Sequence, residues 1–80
     1  MPDQPLDAAT IMFGLTPERD RESCSTYLQI LGRRDLAQTL SSRLSPEEIE
    51  QLVEVTSSLM RRHLSRQEYH LLFLGNSHRR

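Results

Sequence analysis

Cys24, the histidines His63, His70 and His78, and the carboxylates Glu47, Glu48, Glu50 and Glu54 are the side chains of this 80-residue chain that would offer nucleophilic, metal-binding or acid–base chemistry. A thiol is a nucleophile only beside a base that draws off its proton. Cys24 stands instead on an apolar stripe with Tyr27, Leu28 and Leu31, where a buried, structural cysteine is expected. The histidines lack the i, i+4 spacing that places two ligands on one helix face, and Cys24 lies about forty residues before His63, so no zinc rule is met. His63 reads as a dipole partner at a helix C-terminus, and His70 as an exposed or partly buried residue of the last helix. The glutamates would do acid–base work only in a pocket that raises one pKa, and their polar face makes them helix caps and solvated surface. With Gly14, Gly32 and Gly75 the only glycines, neither a P-loop nor a dinucleotide fingerprint can be built, and no serine sits in a nucleophile elbow. The chain is read as a non-enzyme with no catalytic residue, no metal site and no cofactor.

Phosphate recognition is a different chemistry and is served by uneven charge. Residues 61–80 carry Arg61, Arg62, Arg66, Arg79 and Arg80 against Glu68, whereas residues 41–60 carry Glu47, Glu48, Glu50 and Glu54 against Arg43. The basic quarter suits weak, salt-sensitive contact with nucleic acid. A helix-turn-helix over residues 34–55 fails at its second helix, which would turn four glutamates toward DNA. Phe13, Tyr27, Tyr69 and Phe73 are too few for a base-stacking platform. The chain has no lysine, which also fits arginines in bidentate ion pairs, as between Arg61 or Arg62 and glutamates of a neighbouring helix.

The elements that position these residues are read from helix punctuation. Ser45-Pro46-Glu47-Glu48 and Ser65-Arg66-Gln67-Glu68 are capping boxes, each with a hydrophobic staple, Leu44 with Ile49 and Leu64 with Tyr69. Thr16-Pro17 is a plainer start without the box. Between the starts the apolar spacing is helical, most clearly in Ile49, Leu52, Val53, Thr56, Leu59, Met60 and Leu64. Gly32 falls where a left-handed C-terminal residue is expected, and Asp35 where a cap would open the next helix. A helix continuous from Pro46 to Leu74 would have a poor seam, so a restart at Ser65 is preferred.

The spacing predicts an all-α fold: a small compact bundle of four main helices, near 17–31, 35–43, 46–63 and 66–74, with a short N-terminal helix near 7–13. Residues 1–75 are expected to form one helical domain, with 1–5 disordered, and 76–80 a flexible basic tail. The composition, 36% hydrophobic and 26% charged with net charge −1, is that of a globular protein and not of a disordered one. The lone cysteine, the acidic N-terminus and the lack of an apolar run of about 18 residues predict a cytoplasmic protein without membrane contact.

Ile11-Met12-Phe13 with Leu15, and Leu71-Leu72-Phe73-Leu74, are apolar beyond what one helix face can bury. Either they cover each other, with the N-terminal arm packed on the last helix, or another molecule covers them. The favoured function is a small adaptor, chaperone or regulator that buries an apolar helix or segment of a partner protein, with a homodimer as one form of it. Met12, Phe13, Tyr69, Leu72 and Phe73 are the expected anchors, and Arg61, Arg62 and Arg66 the polar rim. An arginine-tailed nucleic-acid-binding regulator and a purely structural homodimer are the alternatives.

Overall fold

A computed structural model describes residues 6–75. The fold is all-α, and no strand occurs among the described residues. A 3-10 turn, Ala8–Thr10, precedes α1 (Pro17–Leu31), α2 (Arg34–Arg43), α3 (Pro46–His63) and α4 (Arg66–Glu68), which continues as a π turn over Tyr69–Phe73. The four helices stand where the sequence places them. The expectations for 1–5 and 76–80 lie outside the described residues.

Local chemistry accounts for the starts. The Thr16 hydroxyl accepts from the Arg19 N–H at 3.1 Å, and Pro17 occupies the first turn, where no N–H is missed. Ser45 and Ser65 form full capping boxes: each hydroxyl accepts from the glutamate N–H three residues on at 3.1 Å, and Glu48 and Glu68 accept the serine N–H at 2.9 and 2.8 Å. Between α3 and α4 the backbone at Leu64 is extended, with φ −112° and ψ 140°, so residues 46–74 form two helices. In α3 acids open the helix and Arg61, Arg62 and His63 close it, as its dipole favours.

Two boundary expectations are corrected. Gly32 is not left-handed: its φ is −85° and ψ 4°. Its N–H donates to the Leu28 carbonyl at 3.0 Å and the Arg33 N–H to that of Ile30, so α1 tightens at its end and the chain enters α2 directly. Asp35 is not a cap, since the Arg33 carbonyl already accepts the Ala37 N–H at 2.8 Å and Asp35 lies inside the first turn.

The chain divides into two units, Met1–Arg43 and Leu44–Arg80. In the first, the expected helix near 7–13 shrinks to the turn at Ala8–Thr10, opened by Asp7, whose carboxylate accepts the Ala9 N–H at 2.9 Å. The chain then runs antiparallel along α1. The Gly14 N–H donates to the Asp20 carboxylate at 2.9 Å, the Met12 N–H to the Ser23 hydroxyl at 3.0 Å, and the Arg33 guanidinium to the Leu6 carbonyl at 2.9 Å. These bonds satisfy donors that a helix would have used, and Gly14 turns the arm with φ +91°. The arm thus lies along the α1 face that carries Asp20 and Ser23. As a consequence Tyr27 and Leu28 are exposed, and Cys24 is an exposed thiol instead of a buried one. Ser23 is the only buried residue among those described.

Candidate functional site

The Leu44–Arg80 unit brings apolar and cationic groups together around the start of α4. The Ser65 box fixes the first turn, and the Leu74 N–H reaches back five residues to the Tyr69 carbonyl at 3.1 Å. This widened turn holds the rings of Tyr69 and Phe73 stacked, with centroids 5.1 Å apart and planes 20° from parallel. His70 meets the edge of Tyr69 at 6.1 Å.

A groove of about 550 Å³ opens where α3 ends and α4 begins. Met60, Leu64 and Tyr69, all half-buried, give it an apolar lining, and Ser57, Ser65, Arg61 and Arg66 add polar groups. Leu64 and Tyr69 are the two members of the predicted staple, so the device that sets the chain's entry into α4 also lines the groove. Within this unit Arg61, Arg62 and Arg66 pair with no carboxylate among the described residues; the ion pair observed is Arg19 with Glu22 on α1, at 3.9 Å and exposed. The expected bidentate partners for Arg61 and Arg62 are therefore not found among those residues.

Of the residues singled out in the sequence, Tyr69, Arg61 and Arg66 share the groove. Phe73 joins through its stack on Tyr69. Leu72 is the most exposed large apolar side chain among the described residues, at 67%, on the same turn but outside the lining. Arg62 is exposed on α3, also outside it. Met12 and Phe13 are exposed on the arm of the Met1–Arg43 unit. Leu64 was missed as a site residue, and Met60, whose side chain is adaptable enough to line a binding groove, was read with it as core. Their place in the apolar stripe of α3 reads as interior, and only the staple to Tyr69 signals that they face a groove.

Chemically this surface can take an apolar side chain and hold carboxylates at its edge, since guanidinium groups match carboxylates in a planar, two-pronged geometry. Among the described residues no group of histidine, cysteine and carboxylate side chains is arranged to hold a metal ion. None of the described helices is long and apolar enough to cross a membrane. No protein-family model, curated protein or solved structure matches this chain.

Proposed function

We propose that the chain is a non-enzymatic protein-binding module, an adaptor or regulator that takes an apolar, acid-flanked helical segment of a partner protein on the α4 surface. One observation carries this reading: the Tyr69–Phe73 stack and the half-buried Met60 and Leu64 form an apolar seat beside two arginines that have no carboxylate partner among the described residues. Apolar anchors with a polar rim are the usual anatomy of a helix-in-groove contact, and here arginines supply that rim. Burying a leucine or phenylalanine is worth about 1.5–3 kcal/mol, so a partner that covers Leu72 and Phe73 gains where water gains nothing. Met12 and Phe13 offer the Met1–Arg43 unit an apolar contact of the same kind.

Selection of a displayed helical-peptide library on the full chain tests the proposal. Enriched peptides should be amphipathic and acidic, and their binding should fall at least about tenfold with Leu72→Asp or with Arg66→Glu. Binding indifferent to both substitutions, or no enrichment over a library of scrambled charge, rejects it.

A further inference from the structure

Ser65 carries two features that its capping role does not use. Of the chain's ten arginines, only Arg62 is followed three residues later by a hydroxyl side chain, that of Ser65, and Arg61 makes the basic pair tandem. An arginine three residues before a serine is the charge pattern that basophilic protein kinases select with acidic groups of their own. Leu64 and Ser65 both have extended backbone, with φ −112° and −72° and ψ 140° and 166°, and Ser65 is exposed. A kinase cleft takes its substrate extended, and the linker supplies that form at the serine itself. Arg62 lies in the last turn of α3, whose carbonyls lack partners within the helix, so fraying of that one turn brings it into line.

The serine oxygen keeps its structural duty when it is esterified. The Ser65 hydroxyl accepts from the Glu68 N–H at 3.1 Å, and its own proton meets no acceptor among the described residues. Phosphate oxygens accept the same N–H, so the start of α4 survives. Arg61 and Arg66 line the groove with Ser65, and neither has a carboxylate partner among the described residues. A phosphoserine carries about −1.5 to −2 charges, and guanidinium groups bind it in a two-pronged geometry. The Glu68 carboxylate, which accepts the Ser65 N–H at 2.8 Å, is the negative neighbour that these two cations offset.

We propose that Ser65 is the substrate of a basophilic serine kinase and that Arg61 and Arg66 hold the phosphate in the groove between α3 and α4. The Ser65 oxygen attacks the γ-phosphorus of ATP; the bond from that phosphorus to the bridging oxygen breaks, ADP leaves, and the hydroxyl proton passes to a base of the kinase. The effect on partners rests on the α4 reading: the phosphate occupies the two arginines that an acidic segment uses, so modification releases that segment.

The full chain, incubated with ATP and the catalytic domain of a calmodulin-dependent protein kinase, which selects arginine at that position, should gain one phosphate by intact mass, placed on Ser65 by fragmentation. Arg62→Gln leaves the cap untouched and should slow uptake at least about tenfold, and Ser65→Ala should abolish it. In the phosphorylated chain, phosphorus NMR should put the second ionisation of the phosphate below its ordinary value of about 6, and Arg61→Gln with Arg66→Gln should return it there. No uptake, phosphate on another residue, uptake as fast in Arg62→Gln as in the wild type, or an ionisation that the arginines do not move overturns the proposal. Acidic peptides selected on the unmodified chain should bind the phosphorylated one at least about tenfold more weakly, and equal binding to both forms overturns the release. Failure to select any such peptide rejects the α4 reading, while mass and ionisation still decide the phosphate site.

Discussion

The Met12 backbone N–H donates to the Ser23 hydroxyl at 3.0 Å, and Ser23 is only 4% exposed. This bond is the middle rung of three that tie the N-terminal arm to α1, with Gly14 to Asp20 at one end and Arg33 to Leu6 at the other. The arm has no regular helix beyond Thr10, so its backbone donors depend on side chains that reach them. Ser23→Ala should then cost about 1 kcal/mol, chiefly by leaving the Met12 amide without its acceptor. Amide hydrogen exchange checks this locally: protection at Met12 should fall while that of α3 is unchanged. Equal protection at Met12 in both proteins would remove the arm from α1.

The glycines divide by backbone angle. Gly14 and Gly75 have φ of +91° and +73°, and a Cβ added at either meets nothing within 4 Å, so any penalty there is one of backbone strain alone. At Gly32 a Cβ would sit 3.5 Å from the Leu28 carbonyl oxygen, an ordinary contact, with φ negative. Gly14→Ala and Gly75→Ala should each destabilise their unit by about 1–2 kcal/mol, and Gly32→Ala should be neutral or stabilise by about 0.5 kcal/mol through the unfolded chain. Urea unfolding of the three variants decides it. A loss at Gly32 as large as at Gly14 would mean that the joint is left-handed after all.

What could be read in the sequence follows from how local each cause is. The caps at Thr16, Ser45 and Ser65 and the break at Leu64 depend on residues three or four apart, and all were legible. Gly32 was misread because a glycine after an apolar run signals a left-handed stop, whereas here α2 begins at once and needs φ to stay negative. Only Ala8–Thr10 of the helix expected near 7–13 forms, because the arm's apolar density is local but its hydrogen bonds, to Ser23 and Asp20, are not. That same long-range pairing selected the polar face of α1 and left Cys24, Tyr27 and Leu28 outside. At the groove, Tyr69, Arg61 and Arg66 were legible as an apolar anchor beside arginines. Leu64 was hidden, and Met60 taken for core although its side chain suits a groove, because helical periodicity does not distinguish an interior from a groove lining.

Two chemically identical capping boxes support helices of different length. Ser45 opens the 18-residue α3, whose interior hydrogen bonds sustain it when one end frays. Ser65 opens a single α turn that passes straight into the π turn, with Tyr69 as its fourth residue. Each serine-to-alanine change should cost about 1 kcal/mol. Only Ser65→Ala should also disorder the groove, seen as loss of amide protection from Tyr69 to Leu74. Ser45→Ala should affect no amide beyond the first turn of α3, and uniform loss along α3 would show that its stability rests on the cap.

Leu72 and Tyr69 share the last turn but should respond in opposite ways to substitution. Leu72 is 67% exposed, so Leu72→Asp removes little burial and should change stability by no more than about 0.5 kcal/mol, with helix content preserved. Tyr69 is half-buried, stacks on Phe73 at 5.1 Å and shares the groove with Leu64. Tyr69→Ala forfeits the stack, worth about 0.5–1.5 kcal/mol, together with the staple, and should destabilise by about 2 kcal/mol. Tyr69→Phe keeps both ring contacts and should stay close to wild type. Urea unfolding followed by circular dichroism separates the three. If Leu72→Asp were to unfold the chain while Tyr69→Ala did not, Leu72 would belong to the interior of the folded protein, and the α4 surface would be no site for a partner.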